Sequence, residues 1–392
     1  MTERTSTVVV LGGYGRVGSR LCRLFAEEKD INVVVAGRTL ATAYRCVSDL
    51  VRGGARGSVS ARFADTAHRE SLRQALKGCD LVVVAAPVAD SIRHVAAACL
   101  EAGCDCLDIL PSSSVVAELG RLSGEIERRN RLFITQAGLC PGLPAALVRA
   151  VACSGEAFHT IRAGISLSLK GVTRVEEVYG MIDSAAELQP VLFRSGRWQR
   201  VSRSGERVWL DYGPGFGKRA SLPLDLLELH GLEEELDLAE LGMFGGTPNW
   251  RLDCMLRWLV MGLYHVRLGL GRKALSRLLL AASNRSALVE GASLVVEGSG
   301  HRDGHSYHCQ WRMTHPDISE WTAIAIAAFF LQYRDGTFRN HRGLKMMGRI
   351  LDPQRAFQDM QRLGVSIECS PDRLTQSGDL VVASAGVPAQ RI

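Results

Sequence analysis

A glycine-rich turn near the start of the chain, residues Gly12–Gly18, constrains the fold more than any other feature. An apolar run of strand length, Val8–Leu11, leads into the pattern Gly13-x-Gly15-x-x-Gly18, and a helical pattern follows. Strand, glycine turn and helix in this order are the context of the dinucleotide-binding fingerprint. We assign the tight turn to Gly13, close approach of a pyrophosphate to Gly15, and close helix–strand packing to Gly18. The sequence therefore predicts a dinucleotide site here.

The residues between these glycines complete the predicted phosphate site. Tyr14 lies between the first two glycines, and Arg16 and Val17 begin the helix. Free N–H groups at a helix start, together with the helix dipole, favour a bound anion. The alternative is an ordinary glycine turn, because the spacing alone is common. The flanking strand and helix favour cofactor binding.

The end of the second predicted strand, Ile31–Ala36, bears on the choice of cofactor. It runs into Gly37-Arg38-Thr39, where an acidic residue would bind the ribose hydroxyl of NAD, and no acidic residue is present. Arg38 can pair with a 2′-phosphate and stack on adenine, and the Thr39 hydroxyl can add a hydrogen bond. We therefore predict NADP, used as NADPH; the alternative is an ordinary surface arginine.

Two further strand ends are assigned to the cofactor site. Asp65 closes the third strand, where it would contact the adenine amino group or, equally, cap the next helix. The fourth strand, from Asp80 onward, is a continuous apolar run typical of a central parallel strand. Ala86 and Pro87, at its carboxyl end, would border the nicotinamide ribose.

Strands and helices alternate from residue 7 to residue 136, which predicts a doubly wound (Rossmann) parallel sheet of the α/β class. From about Phe158 apolar residues alternate with polar ones, as in a sheet with one solvated face. The later chain therefore reads as a second α+β domain. We expect a dinucleotide-binding domain at 1–150, a second domain at 151–335 and a C-terminal segment at 336–392. Helices are predicted at 40–52, 90–102, 114–129, 144–153, 252–282, 320–332 and 352–363.

Composition narrows the class of protein. Lys and Arg number 47 against 41 Asp and Glu, a net charge of +6, and the two signs are interspersed, so no nucleic-acid partner is expected. The eleven cysteines follow no recognisable signal peptide, which favours reduced thiols and a cytoplasmic location. Charged residues interrupt the apolar stretch Leu252–Ala282, so no membrane span is expected there.

Metal binding is not predicted. Cys104-Asp105-Cys106 fits core and surface alternation in a strand, and no second pair of cysteines or histidines stands at zinc spacing. Four histidines near a predicted hairpin lack acidic or cysteine partners and read as surface residues. They are His301, His305, His308 and His315.

Several segments together resemble the saccharopine dehydrogenase-like oxidoreductases. The resemblance spans nearly the whole chain and is most specific in the first 150 residues. It rests on Gly12–Gly18, Ala36–Thr39, Ala85–Pro87, Leu107–Asp108, Ala137–Gly142, Gly343–Leu344, Leu351–Pro353 and Gly364–Val365.

The resemblance implies an NADP-linked enzyme with a discontinuous cofactor domain, to which the segment 336–392 returns. It also implies that the central domain, 151–335, covers the substrate and often forms a homodimer. The best-known reaction of the family reduces an imine formed between an amino acid and an aldehyde or keto acid. Saccharopine reductases often carry Asp in a Gly-Leu-Asp-Pro-Gly motif where this chain has Cys140. The resemblance therefore implies imine reduction as the class of reaction, but it does not imply saccharopine as the substrate.

Catalytic candidates should lie at the carboxyl ends of the central strands. Asp108 could stabilise an iminium cation or anchor a substrate amine, or it could cap the loop that follows. Cys140 is expected to line the pocket without acting as a nucleophile, because no base is placed near it. His94 reads as a solvated helical residue. Possible clamps for a substrate carboxylate are Arg194, Arg197 and Arg251.

The leading functional hypothesis is an NADPH-dependent reductase of a small imine or carbonyl substrate. Two alternatives remain open. One is a non-catalytic NADP-binding sensor or assembly protein, and the other is a redox-neutral enzyme that retains its NADP.

Overall fold

The computed structural model of the chain describes residues 5–154, 158–168, 170, 189–202, 205–246, 276–277, 280–281, 289–302 and 305–370. Sixteen strands in these ranges form two sheets. They are β1 Ser6–Leu11, β2 Ile31–Gly37, β3 Val59–Phe63, β4 Leu81–Val84, β5 Asp105–Asp108, β6 Leu132–Thr135, β7 Phe158–Ser168, β8 Val191–Arg194, β9 Arg197–Arg200, β10 Val208–Asp211, β11 Lys218–Leu224, β12 Glu240–Gly246, β13 Gly291–Arg302, β14 His305–His315, β15 Gly343–Met346 and β16 Ser366–Ser370.

Eleven helices are described within the same ranges. They are α1 Arg16–Ala26, α2 Leu40–Arg52, α3 Arg69–Ala75, α4 Ile92–Ala102, α5 Ser113–Arg121, α6 Ser123–Arg128, α7 Leu143–Ala152, α8 Leu232–Glu235, α9 Ile318–Arg334, α10 Met347–Ile350 and α11 Pro353–Arg362. The single helix predicted at 114–129 is wrong, because α5 ends at Arg121 and α6 begins at Ser123. Gly120 and Gly124 flank this break, and glycine is a poor helix former.

The first sheet has seven strands, all parallel, in the order β15-β6-β5-β4-β1-β2-β3. Its central strands are apolar on both faces because helices cover both. Val8, Val9 and Val10 of β1 all have 0% exposure, and so do Val82 and Val83 of β4. The predicted doubly wound fold is confirmed. The carboxyl ends of β1, β2, β4, β5 and β6 lie at one edge of this sheet, where ligands bind in this fold.

The second sheet is mixed. Its main path runs β10-β11-β12-β7-β13-β14-β16, and β8 and β9 extend it beside β12. β12 pairs in parallel with β7, whereas β13 and β14 form a long antiparallel hairpin. The predicted turn at Arg302-Asp303-Gly304 falls partly outside the described residues. This sheet confirms a second α+β unit.

The last part of the described chain contributes to both sheets. β15 lies parallel to β6 in the first sheet, and β16 lies antiparallel to β14 in the second. Helix α9 packs on α1, with the rings of Phe25 and Phe330 4.5 Å apart and Arg20 paired to Asp317 at 2.6 Å. Residues of the two sheets share one apolar core. The domain boundaries at 150 and 335 stay predictions.

The helical stretch predicted at 252–282 lies outside the described residues except for 276–277 and 280–281. Among the helices in the described ranges, none has both the length and the apolar character needed to cross a membrane.

Candidate functional site

The glycine-rich turn follows β1 directly, and both of its first two glycines take part in it. The Gly13 N–H donates to the Val10 carbonyl at 3.1 Å, and a Cβ on Gly13 would lie 2.9 Å from that oxygen. Gly12, not Gly13, has the left-handed backbone, with φ of +79°. The Gly12 N–H donates to the Ala36 carbonyl at 2.8 Å, and a Cβ on Gly12 would lie 2.9 Å from the Ala85 carbonyl oxygen. The turn is therefore fixed at Gly12 between the ends of β2 and β4.

Gly15 and Gly18 have the surroundings that the fingerprint requires. A Cβ on Gly18 would lie 2.2 Å from the Gly12 carbonyl oxygen, so α1 packs directly on the turn. Gly15 is the N-cap residue of α1, and a Cβ on it would meet one described atom within 4 Å, the Gly12 carbonyl oxygen at 3.1 Å. The first turn of α1 contains no acidic residue. The start of α1 therefore has space above Gly15, no side-chain cap and no acidic residue, so its free N–H groups can bind a pyrophosphate.

The end of β2 is open to solvent at the residues predicted to select the cofactor. Arg38 and Thr39 are exposed, whereas Gly37 is buried beneath the side chain of Tyr14. Arg38 therefore lies at the edge of the sheet beside the glycine-rich turn. A guanidinium at this place fits a 2′-phosphate, whereas a carboxylate would repel it.

The remaining predicted cofactor residues lie at the same edge of the sheet. Ala86 is half-buried and Pro87 is exposed at the end of β4, while Arg16 is exposed and Val17 is half-buried in α1. Asp65 follows β3, and its carboxylate accepts the N–H of Ala67 at 3.0 Å.

The helix-capping alternative for Asp65 is wrong. Helix α3 begins at Arg69, and its N-cap residue is His68. Asp65 instead makes a local turn within the loop that precedes the helix. The adenine contact stays a prediction.

Asp108 ends β5 and is completely buried, with 0% exposure. One carboxylate oxygen accepts the Leu110 N–H at 3.0 Å, as the loop-capping alternative predicts. The other oxygen has no hydrogen-bond partner among the described residues, and neither do the Thr135 hydroxyl and the Gln136 amide oxygen near it. Burial raises the pKa of Asp108 to about 7. The nearby Thr135 hydroxyl, although it makes no hydrogen bond of normal geometry, and the N–H groups of Leu110 and Gln136 oppose this rise. The raised pKa favours the protonated, neutral form of this buried carboxyl.

Cys140 lies in the turn between β6 and α7, between Gly138 and Gly142, both of which have positive φ. The residue is half-buried and packs against the shared core. Burial, and then the negative charge of Glu228, raise the pKa of the Cys140 thiol well above its usual value. The thiol stays protonated at neutral pH, so it is not an activated nucleophile.

Glu228 is a buried carboxyl that the sequence did not identify. It comes from a short turn of 3₁₀ helix, Leu227–Leu229, and one oxygen accepts the Gly142 N–H at the start of α7 at 2.8 Å. The other oxygen has no hydrogen-bond partner among the described residues. It fits against α10 because residue 348 is glycine, where a Cβ would lie 2.7 Å away.

The ionisation of Glu228 should make stability depend on pH. Burial raises the pKa of Glu228 from 4.5 to about 8, against the N–H groups of Gly142 and Ala145 and the charge of Arg349. When folding raises the pKa of a carboxyl, its full contribution to stability is present below the pKa of the unfolded protein. That contribution is lost as the pH rises through the pKa of the folded protein. Glu228→Gln keeps an acceptor for Gly142 and cannot ionise.

Between about pH 6 and pH 8, the unfolding free energy of the unmodified protein should therefore fall by about 2 kcal/mol more than that of Glu228→Gln. Denaturant titrations at several pH values measure this difference. The matched control is the exposed neighbour Glu234, whose glutamine variant should follow the unmodified protein. Parallel pH profiles for the Glu228→Gln variant and the unmodified protein would contradict this account.

Other candidates lie away from this edge. His94 is exposed on α4, as expected, and the Arg194 guanidinium is paired with Glu206 at 2.9 and 3.1 Å in the second sheet. Arg197 is exposed at the β8–β9 turn, and Arg251 lies outside the described residues.

The predicted non-metal character of the cysteines and histidines stays a prediction. In the part of the chain that is described, no group of three His, Cys, Asp or Glu side chains is arranged to bind a metal ion. Cys104 and Cys106 are both buried, at 0% and 2% exposure, and the Asp105 carboxylate between them accepts the Tyr333 hydroxyl proton at 2.7 Å. Asp105 is half-buried between two buried cysteines, so this segment alternates between the core and a partly exposed side, as predicted.

Comparison with known proteins connects this geometry to a family. Residues 8–133 match the family model described as the saccharopine dehydrogenase NADP binding domain. No curated protein sequence matches the chain. The predicted resemblance is confirmed over the domain that carries the glycine-rich turn, Arg38 and Asp108.

Two solved structures share the fold over nearly the full chain. Apo saccharopine dehydrogenase (L-Glu forming) from Saccharomyces cerevisiae aligns with a TM-score of 0.66 and 13% identity, over 93% of this chain and 100% of that one. Homospermidine synthase from Legionella pneumophila, solved with NAD, aligns with a TM-score of 0.58 and 11% identity, over 98% and 97% of the two chains. At these identities the likeness shows the fold. The family match supports an NAD(P)-dependent oxidoreductase.

Proposed function

We propose, from the premise that residues 8–133 belong to the saccharopine dehydrogenase NADP-binding family, that the chain is an NADPH-dependent oxidoreductase reducing a small imine or carbonyl substrate. The observation that carries the cofactor choice is Arg38, exposed at the end of β2 where NAD-dependent proteins of this fold usually have an acid. The C=N or C=O chemistry is supported by the family match.

Each predicted residue has a role in this proposal. The N–H groups at the start of α1 bind the pyrophosphate, and Arg38 with Thr39 binds the 2′-phosphate. Ala86 and Pro87 border the nicotinamide ribose, and Asp65 contacts the adenine. When bound, NADPH supplies a hydride to an electron-poor carbon of the substrate.

Asp108 supplies the proton or the negative charge in this proposal. Reduction of an imine leaves a nitrogen that needs a proton, and an iminium carbon is stabilised by a nearby carboxylate. The free oxygen of Asp108 lies at the carboxyl end of β5, the strand next to β4, and its pKa of about 7 allows either protonation state. Cys140 lines the substrate pocket as a neutral, partly exposed side chain.

Asp108→Asn should lower kcat for NADPH oxidation by about 100-fold and remove any transition near pH 7 from the pH profile, because an amide neither donates that proton nor carries charge. NADPH binding should be unchanged. The matched control is Asp90→Asn, an exposed carboxylate of the neighbouring loop. An Asp108→Asn variant with unmodified kcat and pH profile would rule out this role.

The experiment that tests the proposed function follows NADPH absorbance with a panel of amine and carbonyl pairs. Consumption that requires both members of a pair supports imine reduction, whereas consumption with the carbonyl alone supports carbonyl reduction. NADPH binding without turnover across the panel would contradict an enzymatic function.

A non-catalytic NADP-binding protein is the second candidate, and one observation favours it. Asp108 has 0% exposure and the Cys140 thiol is held protonated, so neither side chain is ready to exchange protons with a substrate in this conformation. NADP that stays bound through dialysis of purified protein, with no net oxidation of it during catalysis, would instead support a redox-neutral enzyme.

A further inference from the structure

Tyr14 connects the glycine-rich turn to the end of β2. Its hydroxyl accepts the Thr39 N–H at 3.1 Å, and its ring lies over Gly37. A Cβ on Gly37 would lie 2.5 Å from the Tyr14 hydroxyl oxygen and 2.6 Å from the ring. Only glycine at position 37 leaves room for the Tyr14 ring, and the Tyr14 hydroxyl is hydrogen-bonded to the protein backbone.

Thr39 is the residue where the loop after β2 becomes helix α2. It is the N-cap residue, and its carbonyl accepts the N–H groups of Thr42 and Ala43 at 3.0 and 3.1 Å. Its own N–H is satisfied by Tyr14. Arg38 is thus flanked by a glycine under the Tyr14 ring and a threonine bonded to the Tyr14 hydroxyl.

Tyr14 borders a groove and also makes packing contacts. Tyr14 is half-buried and lines a groove of about 620 Å³ between α1 and α2. The ring also packs against the shared core and over Gly37, and its hydroxyl is linked to the loop after β2 by the hydrogen bond from the Thr39 N–H.

We propose that Tyr14 is a positioning residue for cofactor selection. By accepting a hydrogen bond from Thr39, it holds the loop after β2 in the position in which Arg38 can bind the 2′-phosphate. In this role its hydroxyl acts through the loop, because it accepts the Thr39 N–H. This inference rests on the proposed NADPH-dependent function.

Fluorescence titration of NADPH and NADH with the Tyr14→Phe variant tests the proposal. Removal of one hydrogen bond should weaken NADPH binding about fivefold and change NADH binding less than about twofold. In the Arg38→Ala background, Tyr14→Phe should cause no further loss of NADPH affinity, because the residue acts through Arg38. Tyr44→Phe, on α2 and 55% exposed, is the matched control and should change neither affinity.

Hydrogen exchange of the Thr39 amide in the cofactor-free protein gives an independent readout. Exchange should be faster in Tyr14→Phe, and also in Gly37→Ala, whose new Cβ displaces the ring. Three results for Tyr14→Phe would overturn this inference while leaving the proposed function intact. They are equal losses of NADPH and NADH affinity, a further loss of NADPH affinity in the Arg38→Ala background, and unchanged exchange of the Thr39 amide. Equal NADPH and NADH affinity of the unmodified protein would overturn both the inference and the proposed cofactor.

Discussion

Gly18→Ala should lose at least about 100-fold in dinucleotide affinity and about 2 kcal/mol in unfolding free energy. The new Cβ would lie 2.2 Å from the Gly12 carbonyl oxygen and 2.9 Å from the Gly13 Cα, which are backbone atoms of the phosphate-binding turn. Movement of the turn would cost free energy, because Gly12 is hydrogen-bonded to the Ala36 carbonyl and lies against Ala85. Cofactor fluorescence and denaturant titration measure the two effects.

The chain offers a matched control for this substitution. Gly120 lies near the end of α5, and a Cβ on it would meet no described atom within 4 Å. Gly120→Ala should therefore leave binding unchanged and raise stability by up to about 1 kcal/mol, since alanine favours helix. Unchanged dinucleotide binding by Gly18→Ala would show that the turn is not the pyrophosphate site.

Arg38→Ala should weaken NADPH binding between about 10-fold and 100-fold and change NADH binding about twofold or less. A charge-assisted pair with a phosphate contributes about 1.5–3 kcal/mol, and NADH has no 2′-phosphate to lose. Titration of both cofactors against the variant measures the change in preference.

The control for this prediction is another exposed arginine of the same region. Arg52 ends α2 and pairs with Asp49, far along the helix from Arg38. Arg52→Ala should leave both affinities unchanged, which separates a specific phosphate contact from a loss of general positive charge. A similar loss of NADPH and NADH affinity in Arg38→Ala would place the 2′-phosphate elsewhere.

Local sequence patterns were sufficient to predict the first sheet and its phosphate-binding turn. Apolar runs such as the one in β1 and the helix start at Arg16 depend on neighbouring residues, and their order along the chain determines a parallel sheet. The left-handed conformation of Gly12 was not predicted, because two adjacent glycines fit the pattern and spacing does not determine φ. The break between α5 and α6 was missed, although Gly120 and Gly124 gave a signal for it.

Contacts between distant segments could not be predicted in the same way. Glu228 reaches Gly142 across 86 residues, and no local pattern marks a glutamate as a buried helix cap. The bond from Thr39 to Tyr14 joins two loops that each carry a recognisable motif, yet neither motif requires it. Asp108 was identified from its place at a strand end, while its complete burial depends on the packing of neighbouring elements.

Equilibrium titration of the unmodified protein with NADPH and with NADH, at the same ionic strength, tests the central claim most directly. We expect both cofactors to bind through the glycine-rich turn and NADPH to bind at least about tenfold more tightly, because Arg38 adds a charge-assisted contact to the 2′-phosphate. Equal affinity for the two cofactors, or tighter binding of NADH, would contradict it.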